Sequence, residues 1–267
     1  MAIKLIMSDI DGTILPYGNK VVSERTRAAF RAAADAGIMV GPASGRFYGM
    51  VPRFFSGDAR CCQTAVASNG LQVCCGGEVV LQKTMTREEL DSVCRVLDDV
   101  PGSGLIFYVG DGIFVAHGTR EDLAECFPAY APIARPATEA PAGAPALKAN
   151  AFVNGSLEDT RALCERLDRE VDGLDFDVPQ PQFLNIMPAG WNKGTALSWL
   201  MERFGIARNE AVVFGDGGND IPLFGAVEHS VAVAGALPEA AEAARWHIGA
   251  CEDDAVAAAI EAIIASK

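Results

Sequence analysis

Short apolar runs that end in polar residues alternate with amphipathic helical patterns in the first and last thirds of the chain. The runs are KLIMSD, IMVGPAS, QTAVASNG, AVVFGDGGND and SVAVAG. Between them, SERTRAAFRAAADAG offers a helix N-cap at Ser23 and a stop at Gly37, and NKGTALSWLMERFG has similar amphipathic spacing. Buried apolar strands that alternate with helices are typical of a doubly wound parallel sheet, so we predict an α/β fold.

The middle of the chain follows a different pattern. Two strand-like runs flank the Gly-Asp-Gly turn at residues 110–112, which indicates a hairpin, and the later strands and helices favour antiparallel pairing. We predict an inserted α+β domain over residues 84–182. Its Pro/Ala-rich stretch at 128–145 is expected to be a solvated connection, with an edge of the insert that contacts substrate as the alternative. Residues 1–83 and 183–267 then form the core. Ligands of such sheets bind beyond the carboxyl ends of the strands, so we expect the insert to lie over that crevice as a cap.

Composition narrows the classes of partner. The chain has 22 Lys and Arg against 35 Asp and Glu, and its formal net charge of -13 disfavours nucleic acid and acidic membrane surfaces. Half of the residues are hydrophobic, enough for a sizeable core. We see no targeting segment and expect a cytoplasmic location. The eight cysteines match no common zinc spacing, so we expect reduced, mostly buried thiols. No oligomeric state is predicted.

Four separated features carry side chains that suit one chemistry. Asp9 and Asp216 each follow an apolar run, Ser44 ends another, and Lys193 begins a helix. Taken singly, the carboxylates could be hydrated, the serine could be an N-cap and the lysine could be solvated. A lysine at a helix N-terminus is a poor complement to the helix dipole, however, which favours a phosphate between the two.

Taken together, these features predict a phosphoryl-transfer site. Oxygen ligands from Asp9 and Asp216 suit Mg²⁺, which offsets their mutual repulsion and that of an incoming phosphate. Asp9 can act as the nucleophile that forms an aspartyl-phosphate, and Asp11 as the acid to the leaving oxygen and then the base to water. Gly12 permits a close backbone approach, so that its amide could donate to phosphate.

The motifs DIDGT, SGR, NKG and GDGGND, in this order, resemble those of the haloacid dehalogenase (HAD) superfamily. The insert between the second and third motifs is similar to the C2 cap of the Cof-type branch, subclass IIB. The resemblance covers nearly the whole chain and implies a Rossmann-like core that carries a C2-type cap.

The resemblance also implies roles for individual residues. It places the catalytic roles on Asp9, Asp11 and Lys193. Phosphate or substrate binding falls to Gly12, Ser44, Gly45, Arg46, Asn69 and Lys193. The implied ligands of Mg²⁺ are Asp9, Asp11 through its backbone carbonyl, Asp216, Asn219 and Asp220, the last two acting on metal, water or Lys193. Thr13 and Gly70 fall where relatives shape the site.

These observations predict a Mg²⁺-dependent phosphomonoesterase that acts on a small phosphorylated metabolite such as a sugar phosphate. One alternative is a phosphomutase of the phosphomannomutase type. That enzyme would need a second phosphate site in the insert, for which Arg135 and Lys148 are candidates. The other alternative is a non-catalytic binding protein on the same fold, which would have little reason to keep all of these side chains.

Overall fold

The computed structural model describes residues 2–266, and the chain divides into two compact units. Unit 1 comprises Met1–Gln82 and Asn192–Lys267, and unit 2 comprises Lys83–Trp191. The second unit therefore interrupts the first in sequence.

The described residues form strands and helices in the following chain order. The strands are β1 (Leu5–Ser8), β2 (Met39–Pro42), β3 (Ala65–Ala67), β4 (Gln72–Cys75), β5 (Glu78–Gln82), β6 (Ser103–Val109), β7 (Gly112–His117), β8 (Ala134–Pro136), β9 (Lys148–Val153), β10 (Leu174–Gln180), β11 (Phe183–Pro188), β12 (Ala211–Gly215), β13 (His229–Ala234) and β14 (Trp246–Ala250). The α-helices are α1 (Glu24–Asp35), α2 (Val51–Phe54), α3 (Arg87–Leu97), α4 (Arg120–Cys126), α5 (Leu157–Glu170), α6 (Lys193–Phe204), α7 (Ile221–Ala226), α8 (Pro238–Ala243) and α9 (Ala255–Ala265).

Unit 1 is built on a five-stranded sheet in the order β14-β13-β12-β1-β2. All four strand pairs are parallel. Ile6 of β1 lies between Val212 of β12 and Val40 of β2, and its neighbour Ser8 lies between Phe214 and Pro42. Because these strands run in the same direction, their carboxyl ends meet at one edge of the sheet. The predicted parallel sheet is confirmed.

Helices flank this sheet in two groups. Helices α1 and α9 pack together and contribute Phe30 and Ile260 to the buried cluster that also contains Ile6 and Phe214. Helix α7 packs against β12 and β13, and α6 packs against α7. Ser23 caps α1, as predicted, by accepting a hydrogen bond from the backbone amide of Thr26. The predicted doubly wound architecture is thus confirmed.

A three-stranded antiparallel sheet, β3-β4-β5, belongs to the same unit. The run that ends at Gly70 is predicted to belong to the parallel sheet, but its strand β3 is not a strand of that sheet and is linked to it by a parallel bridge between Val66 and Ala43. The hairpin of β4 and β5 was not predicted. Gly76 and Gly77, which turn between its strands with φ of +61° and +82°, are the signal that indicates it.

Unit 2 has a six-stranded sheet in the order β10-β11-β9-β6-β7-β8. Its strands pair in antiparallel fashion except β8, which runs parallel to β7. The inserted α+β unit is confirmed. The stretch 128–145, for which no strand was predicted, supplies the short strand β8.

Both boundaries of the inserted unit differ from the predicted ones, by one residue at its start and by nine residues at its end. The prediction divides the chain at Gln182 and Phe183, whereas the chain leaves unit 2 at Trp191. The reason is β11, which begins at Phe183 and pairs with both β10 and β9. A domain boundary placed before β11 would separate this strand from β10 and β9, the strands with which it pairs.

The cysteines and the apolar helices show no special feature. All eight cysteines carry free thiols. Burial raises the pKa of Cys62 to about 11 and that of Cys74 to about 12, so both thiols stay protonated and unreactive at neutral pH. Among residues 2–266, no helix is long and apolar enough to cross a membrane.

Gly41 provides a test of this packing. It lies on β2, and a Cβ atom there would fall 1.7 Å from the carbonyl oxygen of Thr64. We expect Gly41→Ala to lower the free energy of unfolding by at least about 2 kcal/mol, because a backbone atom must move to admit the methyl group. Urea denaturation followed by circular dichroism measures the change.

Gly225 is the matched control for that substitution. It is exposed on α7, and nothing lies within 4 Å of the position of its Cβ. We expect Gly225→Ala to stabilise the protein by about 0.5–1 kcal/mol through helix propensity. Equal effects of the two substitutions would contradict the packing of β2 described above.

Candidate active site

The carboxyl ends of the neighbouring strands β12, β1 and β2 bring the predicted acidic residues and Ser44 together. Asp9 follows β1, Asp216 follows β12, and the two strands are neighbours in register. The backbone amide of Asp9 donates to the carbonyl oxygen of Phe214 at 2.9 Å, which extends the pairing to the strand ends. The carbonyl oxygen of Ser8 accepts from the amide of Ala43, one residue before Ser44. The sheet therefore positions both carboxylates and the serine.

Lys193 lies in the middle of this group. It is the first residue of α6, and it is only 1% exposed. Its Nζ donates to Oδ1 of Asp9 at 2.9 Å and to Oδ1 of Asp220 at 2.7 Å. The solvated alternative for this lysine is wrong, since both partners are buried carboxylates.

Asp220 uses both of its carboxylate oxygens within the protein. Oδ1 accepts from Lys193, and Oδ2 accepts from the backbone amides of Asp216 and Gly217, each at 3.0 Å. The residue is fully buried. The resemblance implies that Asp220 acts on the metal, on water or on Lys193. These contacts show the action on Lys193, and they also fix the loop that carries Asp216.

Asp216 is held by the loop that follows β1. The hydroxyl of Thr13 donates to Oδ1 of Asp216 at 2.5 Å. Gly12 lies against the other oxygen: a Cβ at this position, where φ is +81°, would fall 2.4 Å from Oδ2 of Asp216. The amide of Gly12 donates to the carbonyl oxygen of Leu15 at 3.0 Å. In this structure that amide is used within its own loop, not directed at a phosphate as predicted, and Gly12 serves instead to admit the carboxylate of Asp216.

Burial and mutual repulsion raise the pKa values of the carboxyl groups. Burial is the main cause for Asp9, whose pKa lies well above its ordinary value; Asp220 and Asp216 add to the rise and Lys193 opposes it. Burial also raises the pKa of Asp216 to about 6, against the hydrogen bond from Thr13. For Lys193, burial lowers the pKa, but Asp220 and Asp9 outweigh it and the net direction is upward. Lys193 therefore stays charged.

The donor set fits a divalent cation. Asp9, Asp216 and Asp220 each place a carboxylate oxygen within 4.8 Å of the others. The ammonium group of Lys193 pairs with Asp9 and Asp220 and leaves Asp216 without an ion pair to it, so the three carboxylates together carry an excess of negative charge when they are ionised. Hard oxygen ligands with excess negative charge are the environment that Mg²⁺ prefers. Because Lys193 and backbone amides already use Asp220, Asp9 and Asp216 are the better placed pair.

Asp11, the predicted acid and base, is paired with Arg46. The guanidinium group donates from Nε to Oδ2 and from Nη2 to Oδ1, both at 2.9 Å. Such a two-point pairing fixes the plane of the carboxylate. Both side chains are partly exposed. Asp11, predicted as the acid and base, and Arg46, predicted to bind phosphate or substrate, thus form an ion pair.

The remaining predicted residues form the loops beside Ser44. The hydroxyl oxygen of Ser44 accepts from the amide of Arg46 at 3.2 Å. The side chain of Asn69 lies against Gly45, and its Oδ1 accepts from Nδ2 of Asn219 at 3.1 Å. All predicted site residues therefore lie within unit 1 in contact with others of the set.

Tyr17 is a neighbour of the site that was not predicted. Its hydroxyl oxygen would lie 2.9 Å from a Cβ at Gly12, the same point that the carboxylate of Asp216 approaches. Tyr17 as a whole is 80% exposed to solvent. Partial burial and the carboxylates of Asp216, Asp9 and Asp11 raise the pKa of this phenol. The only signal in the sequence is an aromatic residue in the loop after DIDGT.

Arg135 and Lys148, the candidates for a second phosphate site, both lie in unit 2. The guanidinium group of Arg135 stacks on the ring of Phe114 with 4.5 Å between its Cζ atom and the ring centroid. Nζ of Lys148 lies 5.6 Å from the ring centroid of Tyr108. Each cation therefore has an aromatic partner within its own sheet.

The match to a family model covers residues 6–260, and the chain belongs to the family of haloacid dehalogenase-like hydrolases. The predicted superfamily is confirmed, and with it the predicted class of protein, a hydrolase.

Similarity to known proteins extends over nearly the full length of the chain. A Bacillus subtilis protein named "Putative phosphatase YxeH" is 25% identical over 284 residues, which cover 99% of each chain. Among solved structures, SMU.1108c from Streptococcus mutans has a TM-score of 0.85 at 20% identity and covers 99% of this chain and 100% of its own. The HAD subclass IIB sugar phosphatase BT4131 has a TM-score of 0.79 at 21% identity, with coverage of 97% and 98%. At these identities the two structures show the shared fold.

A thermal test of the cation site follows from Asp216. Its pKa is higher in the folded protein than the ordinary value of 3.8, so the protonated carboxyl group stabilises the fold and this contribution is lost as the pH rises through about 6. A cation needs the ionised carboxylate. We expect Mg²⁺ to raise the melting temperature of EDTA-treated protein more at about pH 7.5 than at about pH 5.

Differential scanning fluorimetry measures these shifts, and Asp216→Asn is the control. The variant should show no Mg²⁺-induced rise at either pH. An equal rise at both pH values, or a rise that the variant retains, would contradict the assignment of Asp216 to the cation.

Proposed function

We propose that the protein is a Mg²⁺-dependent phosphomonoesterase that acts on a small phosphorylated metabolite through an aspartyl-phosphate on Asp9. The observation that carries the proposal is the buried carboxylate of Asp9, held by Lys193 at 2.9 Å beside the carboxylate of Asp216. A hydrated carboxylate at a strand end would need neither a buried lysine nor a second carboxylate beside it. A nucleophile that must approach a phosphate needs the positive charge of a lysine, and it needs a second carboxylate that helps to hold a cation.

In the first step, an oxygen of Asp9 attacks phosphorus while the bond between phosphorus and the leaving oxygen breaks. Lys193 orients the nucleophile through Oδ1 of Asp9 and neutralises part of the charge. Asp11, in its protonated form, gives a proton to the leaving oxygen. Water then attacks the phosphorus of the aspartyl-phosphate, Asp11 takes its proton, and the bond between phosphorus and Asp9 breaks to release phosphate.

The phosphate oxygens would be bound from several loops. The hydroxyl of Ser44 accepts from the amide of Arg46, which leaves its own proton for donation to a phosphate oxygen. Asp9, Asp216 and the backbone carbonyl of Asp11 would hold Mg²⁺. When bound, the ion supplies positive charge against the phosphate oxygens and the carboxylates.

Arg46 connects phosphate binding to the proton transfer. Its two hydrogen bonds occupy both carboxylate oxygens of Asp11, the group that has to exchange a proton with the leaving oxygen and with water. The acid step needs a protonated Asp11, so the pairing has to loosen when substrate binds. A guanidinium group can bind a phosphate oxygen with the same geometry, and we propose that Arg46 turns to the phosphate at that point.

The chemistry of the site and the names of similar proteins support a proposal for the class of substrate. The full-length relative is named as a phosphatase and one structural neighbour as a sugar phosphatase. We therefore propose a phosphorylated sugar or a metabolite of similar size as the substrate. The cytoplasmic location stays a prediction.

The nucleophile is tested by Asp9→Asn. We expect the variant to lose at least about 10³-fold in kcat for p-nitrophenyl phosphate with Mg²⁺, because the amide cannot form the intermediate. A continuous assay of released p-nitrophenol measures the rate. Asp172→Asn, a change at an exposed residue of unit 2, is the matched control and should keep the activity of the original protein. Unchanged turnover in Asp9→Asn would rule out this nucleophile.

A panel of phosphorylated metabolites identifies the reaction. We expect Mg²⁺-dependent release of inorganic phosphate from at least one sugar phosphate, measured by a colorimetric phosphate assay. A phosphomutase would instead isomerise the sugar phosphate and release little phosphate. A binding protein would do neither.

A further inference from the structure

The turn Ser68–Gly70 has a backbone that few sequences adopt. Its three residues all have positive φ, at +51°, +55° and +102°. For residues other than glycine this conformation is unfavourable, although asparagine tolerates it better than most. Asn69 is also only 4% exposed. A strained, buried turn persists only where surrounding contacts hold it.

Those contacts reach three separate segments of the site. The amide of Asn69 donates to the carbonyl oxygen of Ser44 at 3.0 Å, and that of Ser68 donates to the carbonyl oxygen of Arg46 at 2.8 Å. Gly70 lies so close to the start of α6 that a Cβ would fall 2.6 Å from the carbonyl oxygen of Asn192. The turn therefore touches the loop with Ser44 and the segment that leads into Lys193.

The third segment is reached by the side chain of Asn69. Its Oδ1 accepts from Nδ2 of Asn219 at 3.1 Å, across 150 positions of the chain. Asn219 lies between Asp216, the proposed cation ligand, and Asp220, the partner of Lys193. Removal of the side chain of Asn69 would break this contact but leave the backbone bond to Ser44.

We propose that Asn69 is a positioning residue that holds Asn219, and with it the segment Asp216–Asp220, against the loop of Ser44, and that it is not a phosphate ligand. The side-chain oxygen of Asn69 is the acceptor that fixes Asn219. The inference rests on the proposed phosphatase function for its kinetic test.

A double-mutant cycle tests the proposal. We expect Asn69→Gly and Asn219→Ala each to lower kcat for p-nitrophenyl phosphate by about fivefold to tenfold, which is the size of one neutral hydrogen bond. The double variant should fall no further than the lower single variant, because both changes break the same contact. Losses that multiply, or a wild-type kcat in Asn69→Gly, would overturn the proposal.

Inorganic phosphate separates positioning from phosphate binding. Because Ser44 keeps its backbone partner, the inhibition constant of phosphate should change by less than about twofold in Asn69→Gly, whereas loss of a direct ligand would raise it by about fivefold or more. A rise of that size would overturn the proposal.

Ser56→Gly is the control for backbone effects. Ser56 also has a positive φ, +56°, but it is exposed, so glycine there should leave kcat unchanged. If the original protein hydrolyses no phosphate ester, the proposed function fails, and the pair is then tested by the same cycle in free energies of unfolding. Non-additive changes would support the contact between Asn69 and Asn219, and additive changes would exclude it.

Discussion

The rest of the site depends on the ion pairs that the buried ammonium group of Lys193 forms with two carboxylates. The ammonium group lies between Asp9 and Asp220 at 2.9 and 2.7 Å and is closed off from solvent. Removal of a charged group from water costs several kcal/mol unless its hydrogen bonds are replaced. The three partners therefore have to be placed together, and each comes from a different segment: the end of β1, the start of α6 and the loop after β12. The sheet supplies the shared edge at which these segments meet.

Asp220 extends this interaction to the proposed cation ligand. Its second oxygen accepts from the amides of Asp216 and Gly217, so the position of Asp216 is tied to that of Lys193. Thr13 and Gly12 hold Asp216 from the other side. The nucleophile, its lysine and its neighbouring carboxylate thus form one connected group, in which excess negative charge is left for a cation to balance. That arrangement is suited to phosphoryl transfer, which depends on positioning and charge neutralisation.

The sequence predicted the parts of this structure that follow from regular patterns. Apolar runs with polar ends predicted parallel strands, and parallel strands bring Asp9 and Asp216 to one edge. The features it missed depend on contacts between distant residues. Nothing in the spacing of GDGGND indicates that Asp220 accepts hydrogen bonds from two backbone amides. Likewise, nothing in SNG indicates that Asn69 forms a hydrogen bond with Asn219. The amide of Gly12 was predicted to donate to phosphate because glycine permits a close backbone approach, whereas in the structure it donates to the carbonyl oxygen of Leu15 in the loop that follows.

The central claim is that Asp9 carries the phosphoryl group during turnover. The most direct test is to quench the enzyme in acid during steady turnover of p-nitrophenyl phosphate, digest it, and locate the modification by mass spectrometry. We predict a peptide that carries one phosphoryl group on Asp9, labile to hydroxylamine as an acyl phosphate should be and absent without substrate. A stable phosphoryl group on another residue, or rapid hydrolysis with no modified peptide in a reaction shown to be limited by attack of water, would contradict the account.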